Sequence, residues 1–148
     1  MRVGLISDTH GLLRPEALEF LRGADHIVHA GDIGAAEILS ELRKLAPVTA
    51  VRGNNDTGPW ARGVPATADL TLGGVRIHVL HDVAELDAGE KARVVISGHS
   101  HKPLISENDG VLYVNPGSAG PRRFTLPIAL GELRISRGRA RARIEVLA

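Results

Sequence analysis

Cysteine is absent from the 148 residues, which removes disulfides and thiolate metal sites and leaves oxygen and imidazole as the only strong side-chain donors for a metal. Aromatic side chains are scarce, two Phe, one Tyr and one Trp, so the core has to be built from Val, Leu, Ile and Ala. Neither sign of charge dominates: 18 Lys and Arg face 17 Asp and Glu, and no general steering field for nucleic acid is expected. No apolar run is long enough to span a bilayer, and no charged segment leads into an apolar one at the start of the chain. The expectation is a cytoplasmic protein without a membrane partner. There is no repeat, linker or low-complexity stretch either, so a single domain over residues 1–148 is expected. Its 43% hydrophobic content is enough for a core without staples.

What the chain does have is a series of short apolar runs, each delivering polar residues at its end. Val3 to Ile6 reads as a buried strand whose faces are covered by helices, and it ends in Ser7-Asp8-Thr9-His10-Gly11. Positions i and i+2 of a strand share a face, so Asp8 and His10 aim together into the crevice at the sheet's carboxyl edge, where ligands of open α/β sheets sit. Leu18 and Leu21, with Pro15 suited to a first turn, place a helix over Arg14 to Leu21. His26 to His29 is a second strand and runs into Ala30-Gly31-Asp32. Ile38, Leu39, Leu42 and Leu45 repeat at helical spacing, so Ala35 to Leu45 is a second helix, stopped by Pro47. Val48 to Val51 is a third strand, ending in Gly53-Asn54-Asn55-Asp56. The alternation implies right-handed crossovers and a parallel sheet with its three polar ends side by side.

Beyond Pro65 the pattern changes to hairpins. Asp69 to Leu72 and Val75 to Leu80 flank Gly73-Gly74, a primed turn, and the second arm ends at His81-Asp82. A helix is predicted over Ala84 to Ala92. Val94 to Ile96 is another buried strand, ending in Ser97-Gly98-His99-Ser100-His101. Leu104 to Glu107 pairs with Val111 to Val114 about Asn108-Asp109-Gly110, and Ile128 to Ile135 with Ala140 to Val146 about Arg137-Gly138.

The strand ends thus carry Asp8, His10, Asp32, Asn54, His81, His99 and His101. This oxygen and nitrogen set suits Mn, Fe, Ni, Co or Zn better than Ca. In order and type the series resembles the calcineurin-like metallophosphoesterase superfamily. The short chain, His29-Ala30-Gly31-Asp32-Ile33 and Asn115-Pro116-Gly117-Ser118 are similar to its small bacterial and archaeal phosphodiesterase branch. The resemblance implies a four-layer αββα sandwich, with one metal held by Asp8, His10 and His101, a second by Asn54, His81 and His99, and Asp32 bridging. It also implies two divalent ions, manganese first and nickel, iron, cobalt or zinc after it, whose bridging hydroxide hydrolyses a small phosphodiester. Asp32, Asn54 and His99 are expected to take part in catalysis. A shared ligand needs two donor atoms, which a carboxylate has and an imidazole lacks, in keeping with Asp32 as the bridge. A phosphomonoesterase or nuclease on the same site, and a protein-binding scaffold such as the retromer subunit that shares this fold, are the alternatives. Homo-oligomer formation is left open.

Two positions depart from the family. Asn55 stands where many members carry a His that protonates the leaving oxygen, and Asp82 where Gly is usual. Asp82 reads as an exposed turn residue or an acceptor for an imidazole N–H. His26 and His78 read as packing or surface residues, His29 as packing or a support of the site, and Asp56 as an orienting partner of its loop. Asn115 and Ser118 read as a turn or a support, and Arg122 and Arg123 as solvated. Arg137, Arg139, Arg141 and Arg143 share a strand face read as solvated, since no interleaved aromatic offers base stacking.

Overall fold

The computed structural model describes residues 1–148 throughout. Strand β1 (Arg2–Ile6) is followed by helix α1 (Pro15–Leu21), β2 (His26–His29), α2 (Ala36–Arg43) and β3 (Val48–Ala50). The three strands pair in parallel as expected, Val3 beside His26 and Ile27 beside Val48. The helices form where apolar residues fall on one face: Ala17 and Leu21 of α1, and Ile38, Leu39 and Leu42 of α2, are buried. Pro15 opens α1, where its missing N–H costs nothing.

The rest of the chain adds β4 (Thr67–Leu72), β5 (Val75–Leu80), β6 (Val94–Ile96), β7 (Leu104–Asn108), β8 (Val111–Asn115), β9 (Ala129–Ser136) and β10 (Arg139–Val146). Two mixed five-stranded sheets result: sheet A in the order β10-β9-β1-β2-β3 and sheet B in the order β4-β5-β6-β8-β7. All three hairpins turn through paired residues of positive φ, Gly73-Gly74, Asp109-Gly110 and Arg137-Gly138, as primed turns require. Arg137 therefore belongs to a turn, and only Arg139, Arg141 and Arg143 alternate on the exposed side of β10.

The sheets face each other across an apolar layer of Val3, Leu5 and Val28 against Ile77, Val79, Ile96 and Val114. A second layer, with Ile6, Leu21, Ile27, Leu39 and Leu42, joins sheet A to its helices. Helices thus cover only one face of β1, and sheet B covers the other, which corrects the expectation of helices on both. Burial is the same either way, and burial is all that a continuous apolar run reports.

This is the expected sandwich, but its fourth layer is thin. Over Ala84 to Ala92 there is no α-helix, only a 3₁₀ turn at Val83–Glu85 and the turns after it. The reason is local competition for backbone donors. Asp87 accepts from the Gly89 N–H and Glu90 from Lys91 and Ala92, donors that a helix would need, while Asp82 caps only the short turn through the Ala84 N–H. No helix is long and apolar enough to cross a membrane.

Between β1, β9 and β10 the side chain of Glu132, 4% exposed, receives Arg2 at 2.9 Å and Arg134 at 2.7 Å, with Arg143 at 3.5 Å. Arg2 and Arg143 also lie over the Phe20 ring of α1. Burial by itself would raise the Glu132 carboxyl, but hydrogen bonds from Arg134 and Arg2 outweigh it and hold the pKa at about 2, below the ordinary 4.5. A carboxyl depressed by folding stabilises the fold above its unfolded pKa, and that contribution fades as the pH drops from about 4.5 toward about 2. Glu132→Gln is expected to cost about 1–2 kcal/mol at pH 7, allowing for solvent screening of the exposed arginines. The difference from wild type, measured by denaturant titration, should shrink by about half at pH 3. A difference independent of pH would contradict the assignment.

Candidate metal centre

Backbone hydrogen bonds continue past the ends of β1 and β2 and zip their two loops together: Asp8 N–H to Gly31 O at 2.9 Å, His10 to Asp32 at 2.9 Å, and Gly11 to Ile33 at 2.8 Å. The loops lie so close that glycine is needed where they touch. A Cβ on Gly31 would stand 2.6 Å from His81 Nδ1, and one on Gly98 would stand 2.1 Å from Ser7 Oγ and 2.7 Å from Asp8 Oδ2. Five of the seven candidate ligands, Asp8, His10, Asp32, His99 and His101, have left-handed backbones with φ from 47° to 72°. That conformation costs an ordinary residue on the order of 1–2 kcal/mol, and it persists only where surrounding contacts impose it.

Those contacts are specific. Asp56, 3% exposed, accepts the N–H groups of Ile33 at 3.1 Å, Gly34 at 3.0 Å and Gly53 at 2.9 Å, tying the loop after β3 to the loop after β2. It orients that loop, as its place beside Asn54 suggested. His29 is fully buried, and its Nδ1 accepts from Gly31 N–H, so Nε2 carries the proton and donates to Thr9 Oγ1. Thr9 in turn donates to Ile33 O. Burial drives the His29 pKa down to about 3, so this support stays neutral at physiological pH. Asn115 donates to Gly98 O and Ser100 Oγ, and Ser118 to Asp8 O; both brace the ligand loops. Asp82 caps its own turn through Ala84 N–H, and its Oδ2 lies 3.9 Å from His99 Nε2.

Asp8 is divided between two tasks. Its Oδ2 accepts from Ser7 Oγ at 2.8 Å and His99 N–H at 3.1 Å. Its Oδ1 is buried without a hydrogen-bond partner, and it faces three imidazoles, His101 at 3.4 Å, His10 at 3.8 Å and His81 at 3.9 Å. Asp32 Oδ2 lies 3.7 Å from His10 and 3.3 Å from His81. The Nε2 atoms of His10 and His101 face each other at 3.4 Å. His81 bonds Ala30 O through Nδ1 at 2.7 Å, which directs Nε2, also without a hydrogen-bond partner, at the two carboxylates.

Within this site two trios have mutually close donor atoms, Asp8-His10-His101 and Asp8-Asp32-His81; a third, Asp69-His78-Glu90, lies apart from it. Asp8 belongs to both, which the sequence did not suggest. Asn54 and His99 are not in either trio. Both line an adjoining cavity of about 250 Å³ with His81, Asp82, Arg52 and Glu85, and the His99 ring stands edge-on to His81 at 5.2 Å. Asn55, noted in the sequence only as a missing acid, places its backbone N–H on Asp32 Oδ1 at 2.9 Å and its amide on Oδ2 at 3.0 Å. The paired amides of Gly53-Asn54-Asn55 were its only sequence signal.

The electrostatics match a cation cage. Burial is the largest influence on Asp8 and raises its pKa. Burial acts the same way on Asp32, but the His81 imidazole 3.3 Å away and hydrogen bonds from Asn55 win and hold it well below the usual carboxylate range. Burial would lower His81, yet Asp32, the Ala30 carbonyl and Asp8 raise it. Opposed lone pairs and carboxylate oxygens this close are tolerable only with positive charge among them. Orphaned Asp8 Oδ1 and His81 Nε2, with an all-oxygen and imidazole donor set, fit divalent transition metals.

The chain belongs to the calcineurin-like phosphoesterase superfamily, whose domain model it matches over residues 1–137. It is 35% identical to a probable metallophosphoesterase of Methanothermobacter thermautotrophicus, over 86% of this chain and 82% of the relative. It is 27% identical to a phosphodiesterase of Methanocaldococcus jannaschii, over 79% of this chain and 83% of the relative. A solved archaeal phosphodiesterase superposes with a TM-score of 0.81 at 24% identity, over 98% of this chain and 100% of that one. Zinc-bound Vps29 from Entamoeba histolytica does so with a TM-score of 0.75 at 23% identity, over 99% of each. The superpositions speak for the fold.

Because Asp56 alone satisfies three loop donors, two of them buried, Asp56→Ala is expected to cost about 2–4 kcal/mol of unfolding free energy, and Asp56→Asn less. Denaturant titration checks this, and a loss under about 0.5 kcal/mol for Asp56→Ala, no more than an ordinary surface substitution, would contradict it.

Proposed function

We propose that the chain is a phosphodiesterase carrying two divalent metal ions, manganese first among them, and acting in the cytoplasm on small phosphodiesters. The observation that carries this reading is the convergence of Asp8 Oδ1, Asp32 Oδ2 and the Nε2 atoms of His10, His81 and His101 at 3.3 to 3.9 Å. One ion would be held by Asp8, His10 and His101 and the other by Asn54, His81 and His99, with Asp32 shared. When bound, such ions polarise phosphoryl oxygens and lower the pKa of water.

The chain's own groups arrange the rest. Asp32, held ionised by His81 and Asn55, turns Oδ2 toward both His10 and His81. Asn54 and His99 border the cavity where a phosphoryl group would enter. None of Asn55, Asp56 and His29 is free to protonate a leaving oxygen. The Asn55 amide is turned onto Asp32, Asp56 accepts three backbone donors, and His29 spends its one proton on Thr9. Leaving groups must therefore depart unaided, and the absent acid is worth roughly 10²–10⁴ in rate. Aryl diesters such as bis(p-nitrophenyl) phosphate should be cleaved, and diesters with only alkyl leaving groups more slowly by about that factor. Equal rates would mean another acid acts.

The direct test is metal-reconstituted hydrolysis of aryl diesters, cyclic nucleotides and aryl monoesters by wild type and Asp32→Ala. Wild type should lose activity to a chelator and recover it with manganese, and Asp32→Ala should be inactive. Retained activity in Asp32→Ala would contradict the shared-ligand arrangement. Preference for monoesters or oligonucleotides would redirect the assignment to a phosphomonoesterase or nuclease. A second reading, a protein-binding scaffold, is favoured by the likeness to Vps29. It expects no hydrolysis with any metal.

A further inference from the structure

The thin fourth layer leaves the outer face of sheet B open beside the candidate centre. There lies a cavity of about 460 Å³ bordered by Val83, Pro103, Leu104, Ser106 and Tyr113, of the size that takes small molecules. Val83 is 45% exposed and Leu104 55%, so apolar side chains face solvent there. The cavity adjoins the centre, because His99 and Asp82 border both it and the smaller polar cavity containing Asn54, His81, Arg52 and Glu85. Where the two cavities meet, His99 Nε2 and Asp82 Oδ2 stand 3.9 Å apart. Lys102, on the apolar side, adds a positive charge.

A phosphodiester has two arms and one negative charge, and this arrangement has two chambers meeting at a candidate metal ligand. A monoester would fill only one chamber and would bring a second negative charge toward the carboxylates of Asp82 and Glu85. We infer that the larger cavity is the subsite for an aryl or alkyl arm of the substrate. The inference rests on the phosphodiesterase reading and narrows it to diesters with one apolar arm, the other arm lying in the polar chamber. Asp82 stands between the chambers and contributes to the preference for a single charge.

Two variants on strand β7 test the subsite by different means. Leu104→Asp makes the lining polar, and Ser106→Trp fills the space. Each should raise KM for bis(p-nitrophenyl) phosphate about tenfold, the order expected from losing one buried apolar group, with kcat within about twofold and metal content unchanged. A readout free of catalysis is the amide spectrum of the protein titrated with p-nitrophenol, an arm without its phosphate. The resonances of Leu104, Ser106 and Tyr113 should shift in wild type, and not in Ser106→Trp at the filled positions. An active enzyme whose KM is unchanged in both variants overturns the inference alone. So does unchanged KM with an altered monomer–dimer equilibrium in Leu104→Asp, which would give the face to a second copy of the chain. Wild type inert toward every diester with every metal defeats the phosphodiesterase reading itself, and the subsite with it.

Discussion

Everything near the centre follows from the burial of two carboxylates, Asp8 and Asp32, at 0% and 3% exposure. Buried charge is costly unless it is answered by hydrogen bonds or opposite charge. Asp32 is answered by Asn55 and His81. Asp8 is answered on only one oxygen, and the other is left among three imidazoles. A fold optimised for stability alone would not keep such an atom there. Its retention makes sense where a cation supplies the missing partner.

The sandwich exists to bring that arrangement about. The parallel strands β1 and β2 end side by side, and β5 and β6 of the opposite sheet end near them, with Gly98 N–H bonded to His81 O. Candidate ligands as far apart in sequence as Asp8 and His101 therefore meet. Left-handed backbones at five of them are held by second-layer groups, Asp56, His29, Thr9, Asn115 and Ser118, that never need to touch a substrate. The apolar layer between the sheets supplies the stability against which this local strain is tolerated.

Much of this was legible from residue order. Apolar runs of three to six residues ending in polar ones identify strands and the edge at which they stop, and the Gly-Gly, Asp-Gly and Arg-Gly pairs identify the hairpins. Those signals are local, and they describe β1 to β3 and the three turns well. The errors lie where the deciding partner is distant or where side chains compete with the backbone. Burial of β1 is the same under a helix or a sheet, so its second neighbour was misread. The segment after Asp82 has helical residues, but Asp87 and Glu90 take the N–H groups a helix would use. The double role of Asp8 and the turn of Asn55 onto Asp32 depend on side-chain rotamers, which no spacing encodes.

By the proposal, the convergent donors would hold two divalent cations. Anomalous diffraction from manganese-soaked crystals tests it most directly. Two anomalous peaks should flank the Asp32 carboxylate, one beside His10 and His101 and the other beside His81 and His99. Peaks elsewhere, or none at saturating manganese, would contradict it.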